Sequence, residues 1–385
     1  MRTAGGRGEF YDHTTNALFV PRGANYTTLA TQIGWTGNSF VYHSTFNVGA
    51  YDATAVEAML ALLSRDGFNV VRVFLNGCCE INTIANPAGG LSRPYLANVA
   101  NFIARAKAHG VWVMLTTDDI PMFGGYEEVL YQTCCASFDD GNMNLLTRQG
   151  LTVHAKMWHD IIAGLKSLDA PLDAIFAYEL VNEQSFDVRY PPLSLTSGTV
   201  LTGNGQSYDM SDALSRQAMM DDNLVYWSSH VRDTIVALDP GALVTMGFFV
   251  PQGPIPTRIG DYRLTRPYPA VARSSIDFVD LHAYLGDPLS MDEYAENFGE
   301  DAYPAKPVIM GEFGAPTAVY GSASSAADAL VAWQVASCRH DFAGWLMWTW
   351  DTYNTVDASL WTMTSGDSSI ERRLAPSHRP SACAR

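Results

Sequence analysis

Two glutamates end apolar runs in this chain. Glu183 follows Ile175–Leu180 (IFAYEL) and is preceded by Asn182; Glu312 follows Val308-Ile309-Met310-Gly311. A carboxylate at the end of a buried strand is costly unless it is paired or used. Two such groups held at one site, one protonated and one ionised at the same pH, are what hydrolysis of a glycosidic bond requires. Glu183 is therefore expected to act as acid/base, its pKa raised by a negative neighbour. Glu312 is expected to act as nucleophile, kept ionised and lowered in pKa by Arg72 and the Tyr284 hydroxyl. Carboxyl groups about 5–5.5 Å apart would give double displacement with retention. The bland alternatives are a solvated loop start for Glu183 and a strand-tying ion pair with Arg72 for Glu312.

The elements that must position these groups are legible as alternating runs. Arg22–Tyr26, Val70–Leu75, Val111–Leu115, Ile175–Leu180, Leu243–Met246, Phe278–Leu281, Pro307–Met310 and Gly344–Trp348 read as eight strands. Between them lie stripes at helical spacing: Val56, Met59, Leu60, Leu63; then Leu96, Val99, Ile103, Ala106; then Val153, Met157, Ile161, Ile162, Leu165; then Leu224, Trp227, Val231, Ile235. Eight strand–helix units predict an α/β chain closed as a (β/α)8 TIM barrel. No linker, low-complexity run or repeat divides residues 1–385, so one barrel domain is expected. Phe10–Val20 should form a hairpin capping the barrel bottom. Gln184–Ser211, with Gly203-Asn204-Gly205 at its centre, should insert a hairpin after strand four, at the catalytic face.

Active groups of such barrels stand at the C-terminal ends of strands. Those ends deliver Asn25 and Tyr26, Arg72 and Asn76, Thr116-Thr117-Asp118-Asp119, Asn182-Glu183, His282 and Tyr284, Glu312, and Trp348 with Trp350. Polar groups for hydroxyls beside aromatic platforms for a pyranose face suit a sugar site.

The strings FNVVRVFL, AYELVNEQ, DLHAYLG, KPVIMGEFG and GWLMWTW, in that order, resemble glycoside hydrolase family 5, the cellulase- and mannanase-like retaining glycosidases. FVPRGANY near the start and the Leu374–Pro376 tail extend the likeness over most of the chain. The resemblance implies that Asn182 bonds the sugar 2-hydroxyl, Arg72 and Tyr284 position Glu312, His282 bonds near the acid/base or the sugar, and Trp348 forms the floor of the reacting subsite. Trp350 stands two residues on, at a neighbouring subsite or the rim. Many members carry a histidine near the ends of strands three or four. Here Thr-Thr-Asp-Asp stands there, so Asp118 or Asp119 is expected to share that hydrogen bonding or else to serve as a loop cap.

The expected substrate is thus a β-linked glucose- or mannose-type oligosaccharide or glycoside. The insertion after strand four favours short or exo-acting substrates. A non-catalytic carbohydrate-binding barrel is the alternative from another class, and a transglycosylase would use the same residues. A metal-dependent hydrolase or phosphate-handling isomerase lacks support, since no HExxH-like spacing and no Gly-rich phosphate loop occurs. No cofactor or metal is called for, and His154 and His159 read as surface residues.

The charge balance is 24 Lys+Arg against 40 Asp+Glu, a net charge of -16, which repels nucleic acid and anionic membrane surfaces. No apolar run spans a bilayer. MRTAGGRGEF lacks a signal-peptide core, which fits a cytoplasmic protein or a mature secreted form. Of the six cysteines, the adjacent pairs Cys78-Cys79 and Cys134-Cys135 leave a bridge between pairs open. Free thiols are the expectation, Cys338 and Cys383 included. The oligomeric state is open.

Overall fold

The computed structural model describes residues 1–33, 39–78, 83–118, 120–133, 137–139, 141–249, 267–286, 289–299, 303–351 and 359–384. Its central feature is a parallel sheet that closes on itself. The strands are β1 (Arg22–Tyr26), β2 (Val70–Leu75), β3 (Trp112–Thr117), β4 (Ile175–Glu179), β5 (Val244–Thr245 and Gly247–Phe249), β6 (Val279–His282), β7 (Val308–Phe313) and β8 (Phe342–Met347). The first part of β5 pairs with β4 and the second part with β6, so the ring shuts through a single split strand.

Each strand is followed by a helix: α1 (Ala53–Arg65), α2 (Arg93–Ala108), α3 (Arg148–Lys166), α4 (Ala213–Leu238), α5 (Pro267–Arg273), α6 (Met291–Phe298), α7 (Ala323–Ser337) and α8 (Ser369–Leu374). The chain is a (β/α)8 barrel, as its periodicities predict. The helices start where the sequence supplies a cap. Asp52, Ser92, Thr147 and Asp212 accept hydrogen bonds from first-turn amides of α1 to α4. The stripes predicted to face inward are the buried ones, including Val56, Met59, Leu60 and Leu63 of α1.

Inside the barrel the strands change character along their length. Val70, Met114, Phe176, Phe278, Ile309 and Leu346 form an apolar plug. Phe10 closes it from below, with ring centroids 5.3 Å from Phe176 and 5.2 Å from Phe278. Phe10 belongs to the capping hairpin (Arg7–Tyr11 with Leu18–Phe19), to which Arg2–Ala4 adds a third strand. One step further up, the same inward rows carry Asn25, Arg72, Glu179 and Asp280, all buried and polar. Apolar packing thus ends just below the site, and charge pairing takes over.

The inserted hairpin forms as expected (Thr199–Leu201 with Ser207–Asp209). It is fastened to the helical layer at the flank. The Gly203 amide donates to Leu146 O, the Asn204 amide to Asn223, and the Tyr208 hydroxyl to Asp222 of α4. A second hairpin, Leu29–Ile33 with Ser39–His43, follows β1 and was not anticipated. Its signal was present in Gly34-Trp35-Thr36-Gly37-Asn38, a turn-rich stretch between two β-prone runs.

Two expectations require correction. Cys338 and Cys383 are not free thiols: they form a disulfide with Cα atoms 5.7 Å apart, and Cys78 is disulfide-bonded as well. Their 45-residue separation hid the pairing. It arises because the tail after α8 folds back under the barrel, where Arg22 of β1 donates to Leu374 O and Arg379 O, each at 2.6 Å. Cys79, Cys134 and Cys135 lie outside the described residues. His154 is not a surface residue either: it is 4% exposed, its ring 4.9 Å from Trp227, and burial pushes its pKa down to about 3. His159 is exposed.

Candidate active site

Arg72 is the hub at the C-terminal end of the barrel. Its guanidinium is fully buried and donates to four side chains: Nε to Glu179 Oε2 at 2.7 Å, Nη1 to Asn25 Oδ1 at 2.8 Å and Glu312 Oε1 at 2.7 Å, and Nη2 to Asn182 Oδ1. A planar fork with five N–H groups can do this; a lysine cannot. Asn25 also donates to Gly311 O at 2.8 Å, so it buttresses Arg72 and the strand that carries Glu312.

Glu312 is 4% exposed and accepts a second bond from the Tyr284 hydroxyl at 2.6 Å. Its placement depends on a bulge. Leu281 of β6 pairs with Met310 and His282 with Glu312, which leaves Gly311 as the extra residue. A bulge re-aims the side chains beyond it, and here it sets Glu312 beside His282. Gly311 must be glycine, because a Cβ there would fall 2.0–2.4 Å from the Asp280 carboxylate.

Glu183 stands across from Glu312, its side chain 28% exposed. His282 joins the two: its Nδ1 is 2.8 Å from Glu183 Oε1 and 3.6 Å from Glu312 Oε2. One carboxylate oxygen each from Glu183 and Glu312, and a ring nitrogen of His282, lie within 4.8 Å of one another.

The electrostatics follow from four carboxyl groups, all but Glu183 buried, crowding one buried guanidinium and one buried imidazole. Burial alone would lower the pKa of His282, but Glu312, Asp280 and Glu183 outweigh it and hold the ring well above its usual 6.5. Burial pushes Glu179 up to about 8; Arg72 opposes this and Asp280 adds to it. Tyr284 rises well above the phenol range through burial and the Glu312 charge. Glu312 does not behave as the sequence led us to expect. Its pKa is raised, not lowered: burial exceeds the opposing pull of His282, Arg72 and Tyr284, and Glu183 adds to the rise.

Glu179, Asp280 and His282 form a second close group beneath the first. Such spacing could hold a cation, but Arg72 already supplies one. Its Nε lies 2.7 Å from Glu179 and 3.9 Å from Asp280.

An aromatic wall completes the site. Trp348 is half-buried and packs edge-to-face on Phe74 at 5.6 Å, with His43 at 6.1 Å. His43 comes from the hairpin after β1. Its Nδ1 lies 3.7 Å from Asp118 Oδ2, to which the Tyr42 hydroxyl also donates at 3.3 Å. A histidine is therefore present beside the end of strand three, supplied by a different element. Sequence reading missed it because it sits in a hairpin that periodicity did not reveal. Asp119 lies outside the described residues. Trp350 is 5% exposed within the core, and its amide donates to Asn25 O at 2.8 Å. The site thus brings together Asn25, Arg72, Asn182, Glu183, His282, Tyr284 and Glu312, with Trp348 at its edge.

No family model and no curated protein matches this chain. Solved structures do. An endo-1,4-β-mannanase from Rhizomucor miehei superposes with a TM-score of 0.66 at 16% identity, covering 99% of both chains. An exo-β-1,4-mannosidase from Opitutaceae bacterium strain TAV5 gives 0.61 at 17% identity, covering 99% of this chain and 63% of that one. The β-mannanase of the blue mussel Mytilus edulis gives 0.55 at 13% identity, covering 97% of each. With β/α alternation, closed ring and these likenesses in agreement, the chain has the (β/α)8 barrel fold seen in β-mannanase structures.

Proposed function

We propose that this protein is a retaining β-glycosidase acting on β-linked glucose- or mannose-type sugars, with Glu183 as acid/base and Glu312 as nucleophile. The observation that carries this reading is the Glu183–Glu312 pair, with oxygens within 4.8 Å of each other and different supports on each. Such close spacing fits the carboxyl separation of about 5–5.5 Å used for attack on the anomeric carbon with retention, rather than the roughly 6.5–9.5 Å of inverting pairs.

In the first step Glu312 forms a bond to the anomeric carbon while Glu183 gives its proton to the departing glycosidic oxygen. In the second, Glu183 takes a proton from water, which displaces Glu312. Arg72 and the Tyr284 hydroxyl aim the two Glu312 oxygens. With its Oδ1 engaged by Arg72, Asn182 is left with its amide N–H groups to donate to a 2-hydroxyl. Trp348 offers its face to the sugar ring. Mannose-type substrates head the panel because the similar structures include an exo-β-1,4-mannosidase and several β-mannanases, and one is a β-glucosidase.

The test is turnover of aryl β-mannosides and β-glucosides by the wild type, Glu183→Ala and Glu312→Ala, with and without azide. Glu183→Ala should lose roughly 10²–10⁴-fold on poor leaving groups and be rescued by azide as the β-glycosyl azide. Glu312→Ala should be rescued as the α-azide. Unchanged turnover in both variants would sink the assignment.

A further inference from the structure

Beneath the pair lies a carboxylate that this mechanism leaves unused. Asp280 is fully buried, and among the described residues neither of its oxygens has a hydrogen-bond partner. A buried charge in that state is expensive unless nearby cations compensate it. Two face it at the same distance: Arg72 Nε and His282 Nε2, each 3.9 Å from Oδ2. The fold makes room for it at a specific point, the missing Cβ of Gly311, next to Glu312.

Arg72 cannot neutralise this region alone. Among the described residues, Glu179 and Glu183 face it from β4 and its loop, Asp280 from β6 and Glu312 from β7, while β5 sets the neutral Gly247 against Glu179. A further titratable neighbour, the Tyr284 hydroxyl, is bonded to Glu312. One guanidinium among four carboxyl groups leaves the imidazole as the place for a second positive charge.

We propose that Asp280 is a positioning residue: lodged under His282, it holds that ring as an imidazolium whose Nδ1–H bonds Glu183 Oε1, and so directs the transferable proton to the other Glu183 oxygen. A neutral ring beside Asp280 would keep its proton on Nε2, facing the carboxylate. Nδ1 would then accept from Glu183 and draw the proton away from the leaving group. With the ring charged, Oε1 is occupied as an acceptor, and the proton sits on Oε2. It leaves from there as the O–H bond breaks, the glycosidic oxygen takes the electron pair of its bond to carbon, and Glu312 bonds to that carbon.

This rests on Glu183 being the acid/base, so the experiment separates the two claims. Ring-¹⁵N NMR of the full chain, with His282→Gln to assign the signal, reads the imidazole directly. The pH dependence of kcat/KM on an aryl glycoside reads its consequence. In the wild type both His282 nitrogens should be protonated at pH 7.5. In Asp280→Asn the ring should be neutral there, and the alkaline limb should move down by about one pH unit. A merely structural role would lower activity at all pH values and leave the limb in place. A neutral His282 in the active wild type overturns the proposal even if Asp280→Asn fails to fold. So does a charged ring and unmoved limb in a folded Asp280→Asn. A charged ring in a protein inert on every glycoside overturns the glycosidase reading, and this role with it.

Discussion

Arg72 donates to Glu312 at 2.7 Å, yet the Glu312 carboxyl is held above its ordinary pKa. The same guanidinium serves Glu179 at an equal 2.7 Å and lies 3.9 Å from Asp280, so its charge is divided among several acids. Burial acts on Glu312 undivided. An ion pair read in isolation gives the wrong sign for its pKa shift.

That division predicts what loss of Arg72 does. Arg72→Met would leave Glu179 and Glu312 buried without their cation, and unfolding stability should fall by about 3–5 kcal/mol. Arg72→Lys keeps the charge but cannot serve four acceptors at once, so it should fall between. Urea unfolding at pH 7 measures both. A variant as stable as wild type would show that the site is wetter than its burial implies.

His43 should govern sugar selectivity more than turnover. It reaches the wall of the site beside Trp348 and Asp118. In His43→Ala, the ratio of kcat/KM for mannoside over glucoside should change by roughly tenfold, the value of about one hydrogen bond. Equal losses on both sugars would assign it a packing role.

Stability should be greatest in mildly acidic solution. Glu179, raised to about 8, and Glu371, raised to about 7 chiefly by burial and by its bond with Asp66, stay protonated when folded at pH values where the unfolded chain is ionised. His282, held well above 6.5, acts in the same sense above neutrality. In each case the folded state binds more protons, so stability falls as pH rises through these windows. His154 acts in the opposite sense: with its pKa near 3, it makes the fold lose stability as pH drops from 6.5 towards 3. Between 4.5 and 6.5 the two glutamates outweigh His154, so Tm should peak near the ordinary carboxyl value of 4.5 and decline on both sides. A Tm that climbed steadily from pH 6 to pH 9 would contradict these assignments.

Breaking the Cys338–Cys383 bridge should weaken the closure of the barrel bottom. Its 45-residue loop corresponds to about 2–4 kcal/mol of unfolded-chain entropy. Cys338→Ser with Cys383→Ser should lose that much in denaturant unfolding while keeping turnover at 25 °C, since the tail is fastened to Arg22 at the start of β1, the end of the barrel opposite the strand ends that carry the site. Loss of activity without loss of stability would mean that the tail reaches the site.

The local parts of this protein are written in its sequence. Alternating apolar runs specify eight strands and their helices, because periodicity and caps act over a few residues. Glu183 and Glu312 announce themselves as charges ending buried strands, a cost that chain-local reading can register. In the helical layer, Val56 to Leu63 of α1 came out as read for the same reason. Other features depend on which strands end up facing each other. Arg72 meets Glu312 across 240 residues, and Asn25 reaches Gly311 across 286. His43 arrives from a hairpin, Asp280 finds its space in the missing Cβ of Gly311, and Cys338 finds Cys383 in a tail that folds back. Only ring closure makes the interior dry and sets the distances among its charges. Desolvation and charge sharing therefore belong to the tertiary structure, and they decide the direction in which Glu312 titrates.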